Sequence, residues 1–270
     1  MQHINLNKSK NNFSYVLPKQ SANALFNFMK NLEFLKLILR NSAMVPRYVE
    51  ENVSYLGLDI GKISIPMTCF CDINLNKILY HTKEYGKYGI GFYKEWCLGQ
   101  GIQPIHYINE KSMLIRDFRL AFNSALNIDG QTSKEIESLQ SYLFSHLLFI
   151  KPIQENTQTN IEKKPMNFHD EREWRYIPNL NELNTELMPI LLREYNNKST
   201  RDLHNTALLD LKDAWLTFKP ENVKYIIIEN KSEKAEFIKF LLGKELNYKR
   251  EIKLDLISKL IVLDELSEDW

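Results

Sequence analysis

Glycine is scarce in this chain of 270 residues, and its distribution is the feature that most constrains the fold. The chain has nine glycines, and seven of them fall between Gly57 and Gly101. Glycine is required where the backbone takes a positive φ or where another group approaches it closely. The unusual backbone is therefore concentrated in one region, and that region is the first candidate for a binding site.

Composition and charge exclude several classes of protein. Hydrophobic residues make up 44% of the chain and charged residues 26%, which is typical of a globular protein and excludes a disordered or collagen-like chain. The 35 basic and 34 acidic residues give a formal charge of +1, so no overall charge attracts nucleic acid or a membrane. The polar N-terminus lacks a signal-peptide core, and no apolar run reaches the ~20 residues of a membrane helix. The chain has three cysteines, and an odd, small count argues against a disulfide framework. These features together predict a cytoplasmic protein without a membrane partner.

The spacing of apolar residues predicts an α+β fold. Strands are expected at residues 63–70, 104–108, 173–177 and 223–229, and residues 85–93 are expected to be a turn that enters a strand. Helices are expected at 21–41, 74–85, 111–126, 133–148, 183–195 and 232–242. Strands and helices follow one another without a βαβ rhythm, so we expect a mixed central sheet with flanking helices in one domain over residues 1–270. The polar stretch 154–166 is expected to be a mobile loop.

The glycines do not match the common phosphate-binding loops. Gly57 and Gly61 are one residue too close for a Walker loop, and Ile63 stands where that motif needs a serine or threonine. The glycines at positions 86, 89 and 91 have the reverse of the dinucleotide-binding order and lead into a predicted strand.

The cysteines do not predict a metal site. Cys69 and Cys71 are accompanied by no second Cys or His pair at zinc-ligand spacing. We therefore expect no bound metal, and we expect buried, structural thiols.

The most concentrated polar segment is residues 169–176, which read HDEREWRY. In a strand, Glu173, Arg175 and Ile177 share one face. Arg172, Trp174 and Tyr176 share the other. A carboxylate beside a guanidinium suits the binding of a sugar or phosphate, or the stabilisation of a developing positive charge. The alternative is an exposed edge strand whose charges pair with each other.

A second cluster is aromatic and surrounds the glycines. It consists of His81, Tyr85, Tyr88, Tyr93 and Trp96. Such rings are suited to stacking on the planar base of a nucleotide. The alternative interpretation is an aromatic core.

These segments together resemble a known family. Residues 65–75 read IPMTCFCDINL, and they are followed by His81, by YGKYGIGF at 85–92, by KEW at 94–96 and by PIHY at 104–107. In this order they resemble the AbiGi family of bacterial abortive-infection proteins, with Asn74 in place of the family's proline. The likeness covers residues 41–178 well and the C-terminal third loosely. It implies a role in phage resistance and a cognate toxin or antitoxin protein as partner, commonly with the family member as antitoxin to a nucleotidyltransferase-type toxin.

The order of the segments is also similar to that of ADP-ribosyltransferase-like toxins that modify nucleic acid. This resemblance implies an ADP-ribosyltransferase-like fold, NAD as cofactor and a nucleic-acid or protein acceptor. It implies that Glu173 is catalytic, with Glu171 and Arg175 in the same motif. The cofactor would be bound by Arg47, His81, Tyr85, Tyr88 and Trp96. Residues 13–17 contain no counterpart of the early arginine or histidine of those enzymes.

Three functions remain open at this point. The enzyme hypothesis predicts a cleft between the glycine segment and the strand of Glu173, where a carboxylate stabilises the positive charge that develops as the nicotinamide–ribose bond breaks. The antitoxin hypothesis predicts an exposed apolar patch that binds a partner protein. The third alternative is a metal-dependent nuclease that uses Glu221, Glu229 and Lys231. The competing interpretation of these residues is a solvated end of a strand without catalytic function.

Overall fold

The computed structural model describes residues 15–126, 133–154 and 166–267. Most of the loop expected at 154–166 falls outside these ranges. The strands within them are β1 (Ala24–Met29), β2 (Ala43–Met44), β3 (Arg47–Asn52), β4 (Lys62–Cys71), β5 (Tyr88–Tyr93), β6 (Gln103–Pro104), β7 (His106–Ile108), β8 (Ile150–Pro152), β9 (Glu173–Tyr176), β10 (Leu191–Leu192), β11 (Leu216–Thr217), β12 (Val223–Ile228) and β13 (Leu260–Val262).

The helices surround these strands. They are α1 (Leu32–Asn41), α2 (Ile78–Tyr85), α3 (Lys94–Gly99), α4 (Met113–Leu126), α5 (Lys134–Leu147), α6 (Lys198–Asp210), α7 (Lys231–Leu242), α8 (Arg250–Ser258) and α9 (Leu263–Ser267). None of the helices in the described ranges combines the length and apolar character that a membrane crossing requires.

Within the described residues, nine strands form the main sheet, in the order β13-β12-β5-β1-β4-β9-β6. β3 and β10 also pair with β4, along its first half, whereas β1 and β9 pair with its second half. The β12–β13 pair is parallel and the other pairs of this sheet are antiparallel. Two-stranded pairs, β2–β11 and β7–β8, lie beside it. The predicted mixed sheet with flanking helices, and hence the α+β class, is confirmed.

Helices cover both faces of the sheet. One apolar cluster packs α1, α7 and α8 against β1, β5 and β12. A second cluster joins β4 to α4 and α5, and a third packs α2 and the start of α9 on the opposite face of β1 and β12. Several helices therefore reach the sheet through a buried apolar stripe, as amphipathic helices do.

The expected helix at 21–41 is wrong in its first half. Residues Ala24–Met29 form β1, a central strand between β4 and β5. Ala24, Leu25 and Phe26 are all buried, because both faces of this strand are covered, and such a strand loses the alternation that identifies strands in a sequence. The helix begins only at Leu32, where the Asn31 side chain accepts a hydrogen bond from the backbone N–H of Glu33 at 2.8 Å.

The helix expected at 183–195 does not form. Leu191 and Leu192 instead pair with Ser64 and Ile63 of β4. Pro189 interrupts the helical pattern, and the two leucines after it form the short strand β10 beside β4. Helices α6 and α8 were not expected from the sequence.

The glycines of β5 make room for phenylalanine rings. A Cβ on Gly89 would lie 2.9 Å from the ring of Phe28, and one on Gly91 would lie 2.8 Å from the ring of Phe26. Gly86 ends α2 with a φ of +117°, where a Cβ would meet the backbone of Met29 at 2.3 Å. The expectation that this backbone is approached closely is confirmed at these three glycines, but the approaching groups belong to β1 of the protein itself.

Candidate functional site

The segment 171–175 begins in a tight turn and enters β9. A 3-10 turn, Phe168–Glu171, is capped by the Asn167 side chain, which accepts a hydrogen bond from the backbone N–H of His169 at 3.1 Å. Arg172 then takes a left-handed conformation, with φ +44°. In β9 itself, Glu173 and Arg175 are buried while Trp174 and Tyr176 are half-buried. The two pairs pack on opposite faces of the sheet, as the alternation predicted. The expectation that Arg172 shares the strand face of Trp174 and Tyr176 is wrong, because the left-handed turn takes it out of the strand.

Glu173 and Arg175 belong to a buried ion-pair network. Arg175 Nε donates to Glu173 Oε1 at 2.7 Å, and Arg175 Nη1 donates to the backbone carbonyl of Leu148 at 2.7 Å. Arg175 Nη2 lies 3.2 Å from Glu51 Oε1 on β3, an ion pair without hydrogen-bond geometry. Lys151 on β8 donates to Glu173 Oε2 at 3.0 Å. Arg175 is 0% exposed, so its charge is balanced entirely inside the protein.

This network holds its members in their charged forms. Burial opposes ionisation of Glu173, but Arg175 and Lys151 outweigh it and lower the pKa of the carboxyl to about 2. Burial likewise lowers the pKa of Lys151, while Glu173, Glu51 and Glu171 outweigh it and raise that pKa above its ordinary value. The interpretation of this segment as an exposed edge strand is wrong, because β9 pairs with β4 on one side and β6 on the other.

Glu171 lies where this network meets a pocket. Its Oε2 accepts a hydrogen bond from Lys151 at 2.7 Å, and its Oε1 accepts one from the Tyr85 hydroxyl. Burial raises the pKa of the Glu171 carboxyl, and the negative charge of Glu173 adds to that rise against the opposing effects of Lys151 and Tyr85. Glu171 is thus a buried carboxylate with one oxygen bonded to Lys151 of the network and the other bonded to Tyr85 of the pocket.

Aromatic rings form a ladder from β12 to this pocket. Ring centres are 5.8 Å apart from Tyr225 to Phe26, 5.9 Å from Phe26 to Phe28, 5.2 Å from Phe28 to His81 and 4.3 Å from His81 to Tyr85. Burial lowers the pKa of His81 to about 4, so its imidazole is a neutral aromatic ring at neutral pH. The ladder fixes the wall of the pocket formed by α2.

The pocket has a volume of about 520 Å³, which is within the range of ~300–1,000 Å³ usual for small-molecule sites. Its lining combines aromatic rings, basic side chains and carboxylates. The residues are Gln20, Ile73, Asn74, Lys77, Tyr80, His81, Glu84, Tyr85, Met166, Asn167, Asp170, Glu171 and Arg172.

Three of the predicted site residues line this pocket: Glu171, His81 and Tyr85. Glu173 and Arg175 lie behind it, in the ion-pair network.

The other predicted cofactor-binding residues lie elsewhere. Tyr88 donates a hydrogen bond to Glu233 at 2.8 Å. Trp96 packs on Phe92 with ring centres 4.8 Å apart, and Arg47 is exposed on β3.

Sequence reasoning missed several residues of this region. Lys151, Glu51 and the pocket residue Lys77 were not singled out, and Arg172 was placed only on the strand face of Trp174 and Tyr176. Only Lys151 carried a signal, since it is a lone charge after the apolar run 147–150, and a charge in such a run is buried only when it is paired. Lys77 and Arg172 are exposed, and nothing local distinguishes them from other surface cations.

Two further motif segments meet in a structural ion pair. Lys94 Nζ lies 2.7 Å from Asp72 Oδ2, and both residues are buried. Asp72 Oδ1 also accepts a hydrogen bond from the backbone N–H of Ala22 at 3.1 Å. The pair joins the end of β4 to the start of α3, so these charges stabilise the fold.

The proposed nuclease residues are separated by a strand. Glu221 precedes β12 and Glu229 follows it, which places them on the order of 20 Å apart at ~3.3 Å per residue. Glu229 pairs with Lys87. Among the residues with described positions, no group of three or more Cys, His, Asp or Glu could hold a metal ion.

Comparison with known proteins gives two matches. A family model described as "Putative abortive phage resistance protein AbiGi, antitoxin" matches residues 42–229. The abortive phage resistance protein AbiGi of Lactococcus lactis subsp. cremoris is 32% identical over 252 residues, an alignment that covers 84% of this chain and 100% of that relative. No solved structure matches.

Proposed function

Because this chain belongs to the AbiGi family of abortive phage resistance proteins, and its role is therefore in anti-phage defence, we propose that it works as an antitoxin that binds and blocks a partner toxin. One structural observation carries the proposal. The most concentrated polar segment of the sequence contains Glu173 and Arg175, and these two side chains pair with each other inside the protein. Their chemistry supports the fold, and a function through surface binding needs nothing more from them.

The antitoxin proposal is tested by co-expression with the product of the neighbouring gene, the toxin candidate. We expect the wild-type chain to restore growth and to co-purify with that product. The pocket variant Tyr80→Ala should do the same, because Tyr80 is 76% exposed and its removal should leave the fold intact. Growth arrest by this chain alone, relieved by Glu171→Gln, would overturn the proposal.

Exposed apolar side chains show where to look for the binding surface. Met113 and Leu120 on α4 and Tyr142 on α5 are 68%, 60% and 62% exposed. Leu120→Glu is matched by Leu203→Glu on α6, where the wild-type leucine is 69% exposed. Loss of toxin binding in the first variant alone would map the surface to the α4–α5 pair.

A second candidate is an NAD-dependent ADP-ribosyltransferase-like activity in the pocket. The observation in its favour is the meeting of Glu171, Tyr85 and His81 in one pocket of suitable volume. In this candidate Glu171, rather than Glu173, faces the ribose and stabilises the positive charge that forms there as nicotinamide leaves with the bonding electrons. An acceptor nucleophile on nucleic acid or protein then bonds to the ribose carbon and loses its proton.

The enzymatic candidate is tested by incubating the full chain with NAD and measuring released nicotinamide. We expect release by the wild type, a loss of about 100-fold or more in Glu171→Gln, and little change in Glu95→Gln. Glu95 is an exposed carboxylate on α3 outside the pocket lining, so it controls for the removal of a surface charge. An absence of nicotinamide release by the wild type, with candidate acceptors present, would remove this candidate.

A further inference from the structure

We propose that the pocket recognises a phosphate-bearing nucleotide, with the phosphate at Lys77 and Arg172 and the base against Tyr80 and His81. The inference shares its pocket with the enzymatic candidate and rests on that pocket being a ligand site. It does not require that any bond in the ligand is broken.

One face of α2 and the turn before it supplies most of one wall. Lys77, Tyr80, His81, Glu84 and Tyr85 recur at the spacing that places helical side chains on one face. Since a helix rises 1.5 Å per residue, Lys77 and Glu84 lie about 10 Å apart along this wall. The wall therefore has a cationic end, an aromatic middle and an acidic end.

Arg172 lies near the cationic end. Its backbone carbonyl accepts a hydrogen bond from the backbone N–H of Asp72 at 3.0 Å, and residues 73–77 continue from Asp72 to the start of α2. In the part of the chain that the structure describes, neither Lys77 nor Arg172 takes part in an ion pair, and both are exposed. Two uncompensated cations at a pocket attract an anion, and the amino end of a helix adds to that attraction.

The aromatic middle suits a flat base. The Tyr80 ring is 76% exposed, and among the described residues its ring is in contact only with the Lys83 ammonium, 5.7 Å from its centre. His81 lies between Phe28 and Tyr85 and stays neutral, so the part of its ring that lines the pocket places no charge beside the base. An exposed ring beside a pocket is a platform on which any nucleobase can stack.

The carboxylates fit the sugar rather than the phosphate. Glu84 and Asp170 are exposed and can accept hydrogen bonds from ribose hydroxyls. The charge of Glu171 is compensated by Lys151 at 2.7 Å, which reduces its repulsion of a nearby phosphate. A ligand with phosphate at one end and hydroxyls at the other matches this distribution better than a uniformly cationic or anionic molecule.

The experiment compares two probes, ADP and adenosine, by isothermal titration calorimetry on the full chain. We expect ADP to bind more tightly and to weaken as salt is added. Lys77→Gln and Arg172→Asn should each weaken ADP by about tenfold, the effect of one charge-assisted contact, and leave adenosine unchanged. Asparagine is chosen at position 172 because it tolerates the left-handed backbone.

Lys239→Gln is the control, since Lys239 is an exposed cation on α7 outside the pocket lining. Equal binding of ADP and adenosine, binding of neither, or the same loss of ADP affinity in Lys239→Gln would overturn the inference. ADP binding that depends on Lys77 and Arg172, without nicotinamide release from NAD, would defeat the enzymatic candidate alone.

Discussion

The buried ion-pair network and the pocket are adjacent polar regions, and the segment 171–175 contributes side chains to both. They differ in burial and in how their charges are paired. In the network, Glu173 and Arg175 pair at 2.7 Å, and Arg175 is fully buried. In the pocket, Arg172 is exposed and Glu171 lies at the boundary between the two. Every charged side chain of the first region has an ion-pair partner, whereas in the second region Lys77 and Arg172 have none among the described residues.

The difference shows how one polar motif can serve two purposes. A strand places alternate residues on one face, so Glu173 and Arg175 enter the interior together. The left-handed turn at Arg172 interrupts the extended backbone, and the residues at and before it face the pocket instead. Residue type alone does not distinguish a structural charge from one that is available to a ligand, because the surrounding burial decides.

The largest expected effect is that of removing the central charge of the network. Arg175→Met should lower the free energy of unfolding by about 3–5 kcal/mol, because it leaves Glu173 buried with Lys151 as its remaining cation. Urea denaturation measures the loss. The matched variant Arg172→Asn should change stability by no more than about 0.5 kcal/mol. A small loss in Arg175→Met would mean that the network does not support the fold and that the two regions differ less than described.

The next effect is a pH dependence of the free energy of unfolding, and it arises from the imidazole of His81. His81 has a pKa of about 4 in the folded protein, below the ~6.5 of an unfolded histidine, so protonation favours unfolding. Stability from this residue is present above pH ~6.5 and is lost as the pH falls to about 4, a change of about 2–3 kcal/mol.

His81→Phe should reduce that acid loss when free energies of unfolding are compared at pH 7 and pH 4.5. His106→Phe, at an exposed histidine, is the control. An identical acid loss in His81→Phe and the wild type would show that the imidazole is not held in a buried, neutral state.

A smaller effect is expected from crowding the ring ladder. Gly91→Ala places a methyl group 2.8 Å from the ring of Phe26, and overpacking of this kind costs about 1–3 kcal/mol. Gly99→Ala is the control, because a Cβ there meets nothing within 4 Å. Thermal unfolding distinguishes the two variants. Equal stability would mean that the rings move aside freely and do not hold the pocket wall.

The smallest effect on stability, and the sharpest contrast with the network, is expected at Tyr80. Tyr80→Ala should leave the free energy of unfolding within about 0.5 kcal/mol of the wild type while weakening ADP binding by about tenfold or more through lost stacking. Calorimetry and urea denaturation on the same preparation measure both quantities. A marked loss of stability would place Tyr80 with the structural residues.

The sequence predicts those parts of the fold whose signals are local. Strand β12 is marked by a β-branched run, and α7 by its helical spacing and the glycine that follows it. β1 was missed, because a strand buried on both faces has no alternation, and the phenylalanines that face Gly89 and Gly91 come from a distant part of the chain.

The candidate site follows the same division. The alternation in β9 places Glu173 beside Arg175 without any knowledge of the rest of the chain. Whether that pair is open or buried depends on Lys151 and Glu51, which come from β8 and β3. Likewise, the pocket joins α2 to the turn before β9 only through the tertiary fold, so the place of Lys77 and Arg172 in one pocket could not be recognised beforehand.

The position of strand β4 in two parts of the structure limits how the protein can unfold locally. Its first half is hydrogen-bonded to β3 and β10 and its second half to β1 and β9, so one continuous segment is shared by the cluster under α4 and α5 and by the centre of the main sheet. A fluctuation that separates these two parts must break β4 itself. In native-state hydrogen exchange, the amides in the middle of β4 should therefore be released only by global unfolding, and their exchange rate would report the stability of the whole cooperative unit.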